Sequence, residues 1–475
     1  MIPANVQKYI LKNVQKQCLV APAGSEFRNT IVIPAFAEFE FLPRTLGKIS
    51  DNPPECLRDT LVIIVLNNPP PKSCDPAKFA DNIKTAEYLK SGKYPSNLNL
   101  TWIDAFSPGL EIPPDKGVGM ARKIGMDISL RHLDWNGNPL ILSLDADTDV
   151  EANYIDAVTD FFRKDGKCVG ASIYFEHMEG EGESVNLAIS RYEILMRYFV
   201  WGLEYAGSPY AYHSIGSAMA FPARDYVAAG GMKPRDGGED FYFLQSLRKI
   251  GPIGSITSTT VRPSPRISDR VPFGTGPRIK EFIEGKSACE LYNPEIFSTL
   301  KDLYDFIDTA EISSFSMESI MKSVPSEVGI FLGNEGFCDV WPGILKNTPD
   351  TAEKKRLAFN TWFDALKTLR FIHFCEKQPG NIMPLLEIFT VAAPMLGAFT
   401  ANMAVATTNA TPKTDGLPGN CEIRKKYPAM ANLEAVKVLI SKHPQLSNAV
   451  LDFSSESALL QGMRKIYIQQ TMSSN

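Results

Sequence analysis

The amino-acid sequence predicts an α/β fold: a mainly parallel sheet with helices on both faces, followed by a mostly helical C-terminal region. Three observations carry this. Short β-rich runs alternate with helical stretches through the first 260 residues, the pattern of strand–crossover–strand units. Several of those runs are continuously apolar, which suits strands covered on both sides. From about residue 290 helical patterns dominate and no convincing strand pattern remains.

Strands are expected at residues 30–34 (TIVIP), 61–66 (LVIIVL), 98–103 (LNLTWI), 139–144 (PLILSL) and 169–175 (VGASIYF), with helices such as 117–133 and 152–163 between them. A small-residue strand at Gly216, Ser217 and Ala218 should lead into a Pro turn and a short helix. Helical patterns follow at 299–310, 351–376 and 432–442, and the polar, turn-rich stretch 409–428 reads as an exposed loop. Two domains are expected, residues 1–290 and 291–475, the role of the second not being given by the sequence.

The 475 residues suffice for a large domain and a smaller one, and an apolar fraction of 44% allows a sizeable core. A net charge of -5 lacks the basic excess of a dedicated nucleic-acid binder, though it leaves room for a local phosphate site. Eight cysteines without a CxxC pair exclude a zinc ribbon of usual spacing and give no disulfide framework. Reduced thiols fit a cytoplasmic protein, and residues 1–24 lack the apolar core of a signal peptide. Residues 384–405 are apolar over a membrane-spanning length but contain Glu387, Pro394, Gly397 and Asn402. A buried helix or a hydrophobic docking surface is expected there, the latter for an oligomer contact or for peripheral attachment to the inner face of the membrane.

Ligands of open α/β sheets bind beyond the carboxyl ends of the strands, so the residues just after each strand matter most. At 142–150 (LSLDADTDV) a buried strand runs into Asp145, Asp147 and Asp149. In an extended segment Asp145 and Asp147 face one region, and two such carboxylates suit Mg²⁺ or Mn²⁺ together with phosphate oxygens. Acidic residues after a strand also cap the next helix.

Upstream, 116–127 (KGVGMARKIGMD) places Gly117, Gly119, Lys116 and Arg122 at a helix start that favours an anion; the plain alternative is a solvated helix face. Downstream, Gly237 and Gly238 deliver Glu239 and Asp240 to a first helical turn. Carboxylates there stabilise the helix dipole, or one of them, Asp240 by preference, is a general base. In 260–276 (TVRPSPRISDRVPFGTG) the prolines forbid a regular helix. Arg262, Arg266 and Arg270 then belong to an exposed loop, or to a flap that closes over a diphosphate.

In order and spacing these residues resemble the family-2 glycosyltransferases and their relatives on the GT-A (Rossmann-like) fold. The resemblance covers about residues 28–275: IVIPAFAEFEFLPRTL at 31–46, Asn67 after the second strand, Lys116-Gly117 to Arg122, the Asp145-Ala146-Asp147 motif, Gly216-Ser217 and Glu239-Asp240. It implies sugar transfer from a nucleoside-diphosphate sugar to a carbohydrate, lipid or small-molecule hydroxyl, assisted by Mn²⁺ or Mg²⁺. Pro34, Ala35, Glu38 and Asn67 would surround base and ribose, with Lys116, Gly117 and Arg122 beside the nucleotide. Asp145 would meet the ribose or metal-bound water and Asp147 the metal. Gly216 and Ser217 would line the sugar and acceptor site, which the flap arginines Arg266 and Arg270 would join. Asp240 would act as base beside Glu239, with inversion at the anomeric carbon.

Two departures are visible. Many relatives carry a late histidine that ligates the metal, yet none of the five histidines lies in 255–280. The metal would then have one or two protein ligands, or enter with the nucleotide. Asn67-Asn68 stands where many relatives carry an acidic residue. Rival readings are a nucleotidyltransferase, whose Gly-rich loop should follow the first strand where PAFAEFEFLPR stands, and a non-catalytic sugar-nucleotide-binding or scaffold protein. A nicotinamide enzyme lacks its GxGxxG at the same place.

Overall fold

Strands β1 (Asn29–Ala35), β2 (Thr60–Asn67), β3 (Asn99–Ala105), β4 (Leu140–Ser143), β5 (Thr148–Val150), β6 (Gly170–Phe175), β7 (Met219–Pro222) and β8 (Ile253–Pro263) form one mixed sheet. The computed structural model of the protein describes residues 1–20, 24, 26–235, 237–267, 274–286, 291–309, 322–377 and 456–473. The order across the sheet is β3-β2-β1-β4-β7-β6-β8-β5. Parallel pairs join β1 to β2 and β4, β2 to β3, and β6 to β8; β7 is antiparallel to β4 and β6, and β5 to β8. Every residue of β1 and β2 is buried, as strands covered on both faces require. This is the α/β arrangement of the GT-A type that the motifs implied.

The five apolar runs fall within two residues of β1, β2, β3, β4 and β6. Two strands differ from expectation. Gly216 and Ser217 form a turn, and the strand, β7, starts only at Met219. Residues 260–263 are the end of β8 and not loop. That strand continues because it has partners on both sides: Val261 lies opposite Phe175 of β6 and Val150 of β5, and Pro263 opposite Thr148. A proline at the last position removes only one ladder donor. Residues 275–276 open a further helix, Thr275–Ile283.

The chain divides into two units. The first comprises Met1–Ile189, Tyr212–Glu284 and Tyr467–Asn475, and holds the sheet; the second comprises Ser190–Ala211 and Gly285–Ile466. In the second, helix Pro294–Thr309 buries Phe297, Leu300, Tyr304 and Ile307, the three-to-four spacing of one helical face. They join an aromatic core with Trp201, Phe331, Phe337, Trp341, Phe359 and Phe371. The helical stretch expected at 351–376 is two helices, Ala352–Trp362 and Ala365–Glu376. The break is set by Asp364, whose carboxylate accepts from the Lys367 N–H and caps the second helix. The stretches 384–405, 409–428 and 432–442 lie outside the described residues. Among the described residues no helix is long and apolar enough to cross a membrane.

Candidate active site

Beyond Ser143 at the end of β4, Asp145-Ala146-Asp147 turns sharply into β5. The segment is thus a turn and not the extended run in which the two aspartates were expected to face one region; β5 must re-enter the sheet beside β8, and the turn does this. Helix Leu42–Ser50 braces it. Thr45 Oγ1 donates to the Ala146 carbonyl at 2.8 Å, and Arg44 Nε donates to Asp149 Oδ2 at 3.1 Å. Asp149 is thus held by an arginine from the far end of the IVIPAFAEFEFLPRTL segment.

Asp145 is tied to a second element. Helix Gly117–Ser129 carries Arg122 inward, where only 3% of it remains exposed. Its Nη2 donates to Asp145 Oδ1 at 2.7 Å, its Nη1 to Ser143 Oγ at 3.0 Å, and its Nε to Glu239 Oε1 at 3.0 Å. Ser143 Oγ in turn donates to the Gly216 carbonyl at 2.7 Å. Burial opposes the guanidinium charge, but Asp145 and Glu239 outweigh it and hold Arg122 protonated. The solvated-face alternative thus fails for Arg122. Two glycines create the space. A Cβ at Gly119 would stand 2.6 Å from the Arg235 carbonyl oxygen, which accepts the Gly119 N–H; a Cβ at Gly216 would stand 2.3 Å from Arg122 Nη2. Gly216 and Ser217, expected to line the sugar and acceptor site, are both buried.

Helix Glu239–Arg248 begins after Gly238, whose φ of 68° places it in the left-handed region open to glycine. No atom of the chain lies within 4 Å of a Cβ built there, so within the protein it is the turn that requires this glycine. Glu239 is buried against Arg122, whereas Asp240 is partly exposed and accepts the Phe241 N–H at 2.7 Å. The Asp240 carboxyl is pushed up to about 7, first by burial and then by the Glu239 charge, with the Phe241 N–H and Arg122 opposing.

Asp147 has a different arginine. Arg266, just past β8, places Nη2 2.8 Å from Asp147 Oδ2 and 2.5 Å from Glu38 Oε1. Its guanidinium carbon lies 4.3 Å from the Phe41 ring centroid. Arg262 pairs instead with Glu151 at 2.9 Å, and Arg270 lies outside the described residues.

Pro34 and Ala35 end β1, and the turn after them holds Ala37 at φ 56°, a costly conformation for a residue with a Cβ. Asn82, from helix Pro76–Ser91, fixes it. Asn82 Oδ1 accepts the Ala37 N–H at 2.9 Å, while its Nδ2 donates to the Asn67 carbonyl and Asn68 Oδ1. Glu38 and Asn67 are thereby brought to the ends of adjacent strands. Asn67 Oδ1 is buried without a hydrogen-bond partner among the described residues. Lys116 pairs with Asp115 at 3.0 Å. Arg44, Thr45 and Asn82 escaped the sequence reading, since each looks like an ordinary helical polar residue.

Asp145 and Asp147 offer hard oxygen donors of the kind Mg²⁺ and Mn²⁺ take, yet each already faces a guanidinium. Among the described residues no group of three or more His, Cys, Asp or Glu side chains could hold a metal.

No family model and no curated protein matches the chain. Among solved structures, it is similar to S. aureus TarS 1–349 in complex with UDP-GlcNAc. The identity is 10% over 71% of this chain and 90% of that one, with a TM-score of 0.37. It is also similar to the Pyrobaculum calidifontis mannosyltransferase PcManGT in complex with GDP-Man and Mn²⁺. There the identity is 12% over 93% of this chain and 92% of that one, with a TM-score of 0.36. Both likenesses are remote.

Proposed function

We propose that the chain is a glycosyltransferase of the family-2 kind, moving a sugar from a nucleoside-diphosphate sugar to an acceptor hydroxyl. The observation that carries this is the Arg122 bridge. One buried cation fastens Asp145 of the acidic turn to Glu239, the neighbour of Asp240. A phosphate-handling turn and a proton acceptor are thus set on one frame.

In this reading Pro34, Ala35, Glu38 and Asn67 receive base and ribose, and the unpaired Asn67 Oδ1 is an acceptor that a base N–H can meet. Lys116, Gly117 and Arg122 lie along the nucleotide, and Arg266 serves the diphosphate. Gly216 and Ser217 act from beneath the sugar, through Arg122 and Ser143. Asp147, with Asp145, would hold Mn²⁺ or Mg²⁺, whose charge offsets that gathering on the departing diphosphate. With these two carboxylates as its protein ligands among the described residues, donor phosphate oxygens would complete such a site.

Asp240 accepts the proton of the acceptor hydroxyl, and a carboxyl raised to about 7 suits that task at neutral pH. The hydroxyl oxygen forms its bond to the anomeric carbon as the bond to the diphosphate breaks, which inverts that centre. Glu239 stays on Arg122 and positions its neighbour. The test is release of nucleoside diphosphate from a panel of sugar nucleotides with Mn²⁺. Release by the wild type and not by Asp240→Asn supports the reading. No release from any donor, with donors still bound, favours the non-catalytic alternative.

A further inference from the structure

The Arg266 contact separates two ways a cation could reach the acidic turn. The guanidinium already sits on Asp147 and Glu38, with the Phe41 ring against it. The three charged side chains are 21%, 14% and 7% exposed for Arg266, Asp147 and Glu38. A dication arriving alone would share one carboxylate with a guanidinium in a place with little water to screen them, and the two repel. A diphosphate changes this. The two ionised phosphates of a sugar nucleotide cancel a dication, and a free nucleoside diphosphate, with a further charge on its terminal phosphate, more than cancels it, so neither pair adds positive charge to the site. The guanidinium is also equipped to follow the phosphates: Arg266 Nε is buried without an acceptor among the described residues, and a planar fork of donors fits phosphate oxygens.

We propose that Arg266 is the resident counter-ion of Asp147, and that the metal and a nucleoside diphosphate enter only together, the diphosphate drawing Arg266 off the carboxylate. This rests on the sugar-nucleotide reading above and adds an order to it. The enzyme binds Mn²⁺ poorly by itself, and the arginine that blocks the metal becomes a ligand of the donor.

The experiment reads free Mn²⁺ by electron paramagnetic resonance with the full chain, with and without UDP or GDP, for wild type, Arg266→Gln and the charge-keeping Arg266→Lys. Wild type should bind Mn²⁺ weakly alone and at least tenfold more tightly with the nucleotide it prefers. Arg266→Gln should bind Mn²⁺ without nucleotide about tenfold more tightly than wild type, the scale of one partly buried charge contact. Arg266→Lys should stay close to wild type, and Arg266→Gln should bind the nucleotide less well. An unchanged nucleotide-free Mn²⁺ affinity in Arg266→Gln overturns the proposal. So does wild type binding Mn²⁺ equally well alone, an arm that holds even if the Gln variant does not fold. Failure of every nucleoside diphosphate to bind would remove the sugar-nucleotide reading instead.

Discussion

The Gly216 α-carbon and the Arg122 guanidinium are packed so closely that a Cβ at position 216 would lie 2.3 Å from Nη2. The obstructing atoms belong to a side chain with three partners of its own, so Arg122 cannot swing aside without breaking with Asp145, Ser143 or Glu239. Gly216→Ala should therefore destabilise the protein by about 1–3 kcal/mol, the usual cost of overpacking. Urea unfolding measures it, and an unchanged midpoint would show that the cluster yields more easily than its geometry suggests.

Arg122 itself is the larger lever. Arg122→Met leaves Glu239 buried without its cation, at a cost of about 3–5 kcal/mol. Adding Glu239→Gln should recover part of that loss, because the stranded charge is gone. A double-mutant cycle in urea reads the coupling, and strictly additive effects would contradict the bridge.

The raised Asp240 carboxyl makes a prediction about pH. An ordinary aspartate titrates near 3.9 when unfolded, and burial moves this one to about 7 in the fold. Between those values the folded state holds the proton and the unfolded state has lost it, so stability falls as pH rises through this window. Asp240→Asn carries no such charge. Its melting temperature relative to wild type should climb from about pH 4 to pH 7 and level off above, while wild-type kcat should rise through about 7 as the base ionises. A flat difference between the two melting curves would remove the shift.

Asp147→Ala should abolish Mn²⁺-dependent donor binding while the donor contacts proposed for Asn67 and Arg122 remain. Calorimetry with and without Mn²⁺ separates the two terms, and equal Mn²⁺-dependent binding in the variant rejects the metal role of Asp147.

How much of this was legible follows from the physics of each element. β1 and β2 declared themselves because strands covered on both faces must be continuously apolar. β8 did not: its run of serines and threonines is partly exposed, and its place between β5 and β6 is settled by pairing, which no local pattern encodes. β5 is three residues long and contains Asp149, so it looks polar until Arg44 is seen beside it. At the site, residue types and order were readable: Asp145 follows a buried strand, Arg122 lies on a helix and Glu239 opens one. What joins them was not. That Arg122 turns inward to Glu239, 117 positions away, and that Arg266 settles on Asp147 and Glu38 are tertiary facts. The close packing of Gly216 on Arg122 is a tertiary fact of the same kind.

The most direct test of the central claim is thermal unfolding of wild type with a panel of sugar nucleotides, each with and without Mn²⁺. A ligand that binds only the folded state raises the melting temperature. At least one nucleoside-diphosphate sugar should do so, more strongly with Mn²⁺, and the Mn²⁺ increment should vanish in Asp147→Ala. No shift with any sugar nucleotide, with or without metal, would contradict the account.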